Sequence, residues 1–400
     1  MPTSASFWDE LACQLQSRET AGLRRDRPTW THLSPRLVVD GLGNELLNFG
    51  SNDYLSLSWY PDLLQPDGPR SEDHGPSSEI EEDPGASMPE QRKEGAGASP
   101  LVTGSTPEHD ALIRELARFE CEEDAILFSS GFAANVGVVS SLAREDDILF
   151  SDRLNHASLI DGCRLSRAKT IVYPHNDIEE LRALIAKHRH EGRRGFVVTD
   201  SLFSMDGDTP DLVAMKRVLE EWDLIGIIDE AHATGVYGKR GTGLVEHQDA
   251  KSERWIRTGT LSKAVGSVGG FVAGPQVLID WLTNFARSYI YSTAAPASLL
   301  RRTRGLIGKL ESMESEREKL RATATGLRIS LRTVGLRVGG VDSPIVAIYA
   351  NSIEEVLAWS QRLRKCGLLV PAIRPPTVPV DSCMLRVSLN TSHTKEDLHL

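Results

Sequence analysis

Apolar residues recur along this chain in two periods, and the alternation between them lays out a fold. Short apolar runs at 125–128, 148–150, 170–173, 195–199 and 224–228 are rich in β-branched and aromatic residues and predict buried strands. Between them, helical spacing of apolar residues marks 108–120, a stretch from 133, another from 156, then 177–188 and 211–222. Strand and helix taking turns predict βα units around a mostly parallel sheet, an α/β fold class. Ligands of such sheets gather at the carboxyl ends of the strands.

Outside 108–250 the pattern changes. Residues 7–25 predict an amphipathic helix ending in Arg24-Arg25, and residues 45–57 a strand running into a polar turn at Asn52-Asp53. Residues 299–332 predict one long charged helix. Beyond it, strands are expected at 344–348, 368–373 and 385–389, with a helix at 353–365 and another starting before Leu400. The expected organisation is an N-terminal segment (1–47), a large domain (48–298), and a bridging helix with a smaller α+β C-terminal domain (299–400). Residues 64–94 fit neither period. They hold five prolines and nine acidic against three basic residues, a net of −6, and so predict a disordered insert without a catalytic role.

Composition narrows the class. The 400 residues are 40% hydrophobic and 25% charged, ordinary for a globular protein, and the net charge of −11 argues against general nucleic-acid affinity. None of the five cysteines forms a C-x-x-C pair, which points to free thiols in a reducing compartment and away from a zinc site. No apolar run reaches membrane-spanning length. Asp9 and Glu10 disfavour a transit peptide, and Leu398-His399-Leu400 is no peroxisomal signal. A cytoplasmic location is the expectation.

The chemistry concentrates at strand ends. Asp229-Glu230-Ala231-His232 closes the run at 224–228, and Lys263 in Thr260-Leu261-Ser262-Lys263-Ala264 follows another apolar run. An amine, a carboxylate and an imidazole together are what pyridoxal 5′-phosphate requires: a Schiff-base lysine, an acid that keeps the ring nitrogen protonated, and a group to bond or stack on the ring. Ser129-Ser130-Gly131-Phe132 turns from strand to helix, and a helix N-terminus suits a phosphate. His156 and Ser204 follow two more strands and are candidates to stack on the ring and to bond a ring substituent. The Asp-Glu-Ala-His string also occurs in helicases, but the Walker loop they need is absent, and Gly95-Ala96-Gly97 makes a poor dinucleotide fingerprint.

Taken in order, Asn48 to Leu57, Leu101 to Gly104, Ser130 to Asn135, Asn155 to Ser158, Ser204 to Asp208, Asp229 to Gly235, Thr260 to Ala264 and Tyr291-Ser292-Thr293 resemble the α-oxoamine synthases, a family of the PLP-dependent transferase fold type I. Ala372-Ile373-Arg374-Pro375-Pro376-Thr377 looks most like the branch that joins L-alanine to pimeloyl-CoA, or to a pimeloyl carrier protein, in biotin biosynthesis. Serine palmitoyltransferase, 5-aminolevulinate synthase and the glycine–acetyl ligase are the alternatives. The resemblance implies a large domain with a mostly parallel sheet, a small C-terminal α+β domain, and a homodimer with shared active sites. It makes Lys263 the Schiff-base lysine and Asp229 the partner of the ring nitrogen. It stacks His156 on the ring and sets Ser204 and His232 at the phenolic oxygen, His232 helping the later steps. Gly131, Phe132 and Thr260 would serve the phosphate, with Thr293 arriving from the other subunit. Asn52 and Arg374 would hold substrate, Arg374 through a carboxylate. The segment 64–94 and Pro100, where the family usually has arginine, fall near the expected acyl-CoA entrance.

Overall fold

The computed structural model describes residues 6–60 and 95–399, so the segment 64–94 lies outside the described residues. In chain order the strands are β1 (Thr31–Ser34), β2 (Leu37–Val39), β3 (Glu45–Asn48), β4 (Asp124–Phe128), β5 (Ile148–Asp152), β6 (Lys169–Tyr173), β7 (Gly195–Asp200), β8 (Leu224–Asp229), β9 (Trp255–Thr260), β10 (Gly270–Gly274), β11 (Ile345–Tyr349), β12 (Leu368–Leu369), β13 (Ala372–Ile373) and β14 (Met384–Ser388). The helices are α1 (Phe7–Thr20), α2 (Pro107–Glu120), α3 (Gly131–Leu142), α4 (Ala157–Ser166), α5 (Ile178–His188), α6 (Leu212–Glu221), α7 (Leu244–His247), α8 (Gln276–Phe285), α9 (Arg287–Ile290), α10 (Ala297–Glu311), α11 (Glu314–Thr333) and α12 (Ile353–Lys365).

The apolar runs of the central region assemble into one seven-stranded sheet in the order β4-β10-β9-β8-β7-β5-β6. Only β10 runs against its neighbours. Both faces are covered, as the continuous apolar runs require. Leu149, Val198 and Ile227 face Val138, Val139, Leu159 and Leu282 from α3, α4 and α8. The alternate residues Phe150, Val197 and Ile228 join Leu112, Leu116, Leu181, Met215 and Leu306 from α2, α5, α6 and α10. Parallel register sets Asp200 directly opposite Asp229 at the carboxyl ends of β7 and β8, and Asp229 opposite Thr258 of β9.

Three local expectations need correction. The stretch 299–332 is two helices: Ser312 and Met313 interrupt it, the Ser312 hydroxyl donating back to Lys309 O at 2.7 Å while Met313 turns into the core. The run at 368–373 is split at Val370-Pro371. Its first half, β12, pairs in parallel with β3 in the sheet β1-β2-β3-β12, and its second half, β13, pairs antiparallel with β14 in the sheet β11-β14-β13. The chain ends in a single 3₁₀ turn at Glu396–Leu398 where a helix was expected to begin. Strand β10 was not among the strands expected from the sequence. Gly270 is required in the strand: a Cβ there would lie 2.4 Å from Ser130 O. No helix among the described residues is long and apolar enough to cross a membrane.

Candidate active site

The site lies where β4, β7, β8 and β9 end. Helix α3 starts directly after β4, with the Ser130 hydroxyl accepting from Ala133 N at 3.1 Å. Its free N–H groups and positive dipole end therefore face the cleft. Gly131 lies close against β9: a Cβ there would meet Thr260 Cβ at 3.2 Å. The Thr260 hydroxyl donates to Gly269 O at 2.9 Å and lies 2.9 Å from Ser262 Oγ, tying the Lys263 turn to β10.

Asp229 is buried and anchored from two sides. Asn135 Nδ2 donates to its Oδ2 at 2.6 Å, and Ala231 N to its Oδ1 at 2.7 Å. Asn135 also donates to Ser158 Oγ at 2.9 Å, and Ser158 Oγ lies 2.7 Å from His156 Nδ1. One amide thus couples the carboxylate to the helix end that carries His156. The His156 backbone N–H donates to Asp200 Oδ2 at 2.7 Å. Its ring is set edge-on to Phe132, with centroids 6.3 Å apart.

Lys263 is half-buried, and no described residue accepts from its amine. Burial pushes its pKa down to about 8, Arg386 adding to the shift while Asp229 and Asp200 oppose it. Burial holds His156 below the ordinary histidine range, countered by Asp229. His232 lies well below that range, through burial and then the cations Lys263, Arg386 and His156. Asp200 is raised well above the carboxylate range by burial and by its neighbour Asp229.

Two residues of substrate type sit differently from one another. Asn52 Oδ1 accepts from Arg386 Nη1 at 3.1 Å within the cleft. Arg374, at the end of β13, donates instead to Gly22 O at 2.6 Å and Arg24 O at 2.8 Å, clamping the N-terminal segment. Ser204 meets Arg386 through its carbonyl, which accepts from Nε at 2.5 Å. Thr293 is exposed and lines a cavity of about 230 Å³ with Pro100, Ser129, Val268 and Ser292.

Sequence reasoning missed Arg386, Asn135, Asp200 and Tyr54. Arg386 left no such mark in the sequence: it is the one charge in the five-residue strand Met384–Ser388, and only the structure shows that all five residues are buried. A buried charge in a strand needs partners or a function.

Pyridoxal phosphate fits this donor set. A free amine, an anchored carboxylate, two imidazoles and a helix N-terminus with close glycine packing converge on one cleft. When bound, the cofactor supplies an electron sink for a carbanion.

The chain matches the aminotransferase class I and II family over residues 78–399. It is 38% identical over 398 residues to 8-amino-7-oxononanoate synthase of Geobacter metallireducens, covering 99% of this chain and 95% of that one. The corresponding enzyme of Paracidovorax citrulli is 39% identical over 406 residues, covering 99% and 93%. Among solved structures, Sphingomonas wittichii serine palmitoyltransferase superposes with a TM-score of 0.85 at 27% identity, covering 99% of this chain and 96% of that one. The 8-amino-7-oxononanoate synthase of Francisella tularensis gives 0.69 at 26%, covering 88% and 95%. The chain belongs to the aminotransferase class I and II family and, within it, to the pyridoxal-phosphate-dependent α-oxoamine synthases of the 8-amino-7-oxononanoate synthase type.

Proposed function

We propose that this protein condenses L-alanine with pimeloyl-CoA, or with a pimeloyl carrier protein, to give 8-amino-7-oxononanoate, CO₂ and the free thiol, in the cytoplasm and as a homodimer. The observation that carries the chemistry is the Lys263 amine, free and held near a pKa of about 8 in the cleft of Asp229. A lysine in that range is available unprotonated near neutral pH, both to capture an aldehyde and to take the α-proton of alanine. Asp229, fixed by Asn135 and the Ala231 N–H, offers its charge to a ring nitrogen. At about 4 Å such a pair is worth on the order of 4 kcal/mol at an effective dielectric near 20. The Arg386 guanidinium is placed to meet a carboxylate together with Asn52. Arg374 joins it in this reading by exchanging the Gly22 and Arg24 carbonyls for substrate. Ser204 and His232 would serve the phenolic oxygen of the bound cofactor, and His156 would stack on its ring.

The names and full-length identity of the relatives favour alanine and the pimeloyl group. The homodimer is supported by exposed Leu101, Val102, Val268 and Tyr291 beside the cavity that Thr293 lines. The five free cysteines support a reducing compartment. The test loads the protein with pyridoxal phosphate, adds alanine, glycine or serine with acyl-CoAs of graded length, and follows thiol release. Alanine with pimeloyl-CoA is expected to be fastest. Faster release with serine and palmitoyl-CoA would replace this reading with the palmitoyltransferase one.

A further inference from the structure

His232 follows β8 by three residues, and its ring is buried at the cleft. Its Nδ1 lies 2.7 Å from the hydroxyl of Tyr54, a residue with no exposed surface that enters from the turn after β3. The two rings are 6.1 Å apart and tilted by 52°. No described residue bonds the other ring nitrogen, Nε2. Burial and the nearby cations keep the imidazole neutral, so it has a single N–H to place.

Two arrangements are open to the pair. In one, the Tyr54 hydroxyl donates to Nδ1 and the histidine proton sits on Nε2. In the other, Nδ1–H donates to the phenol oxygen, and the Tyr54 proton must turn to Asn52 Oδ1, 3.4 Å away. Arg386 decides between them. Its Nη2 donates toward the Tyr54 oxygen at 3.4 Å, and its Nη1 donates to Asn52 Oδ1 at 3.1 Å. In the second arrangement the phenol oxygen would receive two donors while its own proton kept only a long contact. The first arrangement gives that proton the short acceptor and leaves the oxygen to Arg386.

We propose that Tyr54 is a positioning residue that locks His232 with its proton on Nε2, so that this one neutral N–H, beside the phenolic oxygen of the bound cofactor at rest, is available to the oxygen of the acyl group under attack. The proposal rests on the condensation described above. Asn52 and Arg386 complete the device, because together they set the direction of the Tyr54 hydroxyl.

The test uses the holoenzyme labelled with ¹⁵N-histidine, His232 being assigned by comparison with His232→Gln. Its ¹⁵N shifts should show protonated Nε2 and bare Nδ1 in the wild type, and a mixture of tautomers in Tyr54→Phe. Tyr54→Phe should keep its cofactor and its alanine dissociation constant. It should lose roughly 10- to 100-fold in kcat for thiol release at unchanged KM, a part of what general acid catalysis supplies. A wild-type His232 protonated on Nδ1 overturns the proposal, and needs no variant to fold. So does a Tyr54→Phe enzyme with unchanged tautomer and kcat. If no acyl-CoA releases thiol from the wild type, the condensation reading fails, while the tautomer measurement still decides the role of Tyr54.

Discussion

Lys263 shows how far a single residue can be read. Its place after an apolar run was visible in the sequence, and so were Asp229, His232 and His156, because each ends or follows a strand. What could not be read was the environment that sets their protonation. The amine is brought down to about 8 mainly by burial, a property of the packed cleft and not of any motif. Capture of pyridoxal phosphate by the apoprotein should therefore accelerate as pH rises through about 8, where the amine loses its proton, and level off above it. Trapping with borohydride at intervals of pH, followed by peptide mapping, should place the label on Lys263. Lys263→Ala should retain the cofactor without a reducible linkage and should not turn over. A label on another lysine, or an acceleration that begins only near pH 10, would remove Lys263 from this role. Arg386 was not legible in the same way, because the sequence does not reveal that both faces of β14 are buried.

At the scale of elements, the runs that became β4 to β8 were legible because a strand buried on both faces is apolar throughout. The short β12 and β13 were not, since Pro371 and pairing to two different sheets decided their extent. What holds the strand ends in register was also hidden. His175, two residues beyond β6, places Nδ1 3.0 Å from Asp152 at the end of β5 and Nε2 2.9 Å from Asp208 in the loop after β7. Phe203 meets the ring edge-on at 4.3 Å. Burial opposes the charge, but the bonds to Asp152 and then Asp208 outweigh it and raise the pKa from 6.5 to about 10. Because the folded value is raised, the stabilisation is complete below about 6.5 and is lost as pH climbs through about 10. His175→Gln should cost about 3–5 kcal/mol near neutrality, the usual penalty for removing one partner of a buried ionic group. Urea unfolding at pH 6, 8 and 10 should show the gap between wild type and variant closing toward the alkaline end. A gap independent of pH would mean that the histidine acts by packing alone.

The whole molecule raises the question of which chain completes each site. The α/β class and the order of chemical motifs were legible from one sequence, because both follow the βα repeat. A homodimer was expected only through the family resemblance, since in the sequence exposed apolar residues such as Val102 and Tyr291 look like any others. Thr293 is exposed on the wall of a cavity that also holds Ser129, beside the turn into α3. If Thr293 serves the phosphate of the partner, two defects should complement across the dimer. Lys263→Ala alone should trap no cofactor on borohydride reduction. Thr293→Asp alone should trap little, because its carboxylate would repel the phosphate. In a mixed dimer, one site combines both defects and the other has neither. Random pairing makes half of all dimers mixed, so roughly a quarter of all sites should regain reducible cofactor after co-expression. If Thr293 instead serves its own chain, every site in the mixed dimer keeps one defect, and the trapped cofactor should not exceed the average of the two variants measured separately.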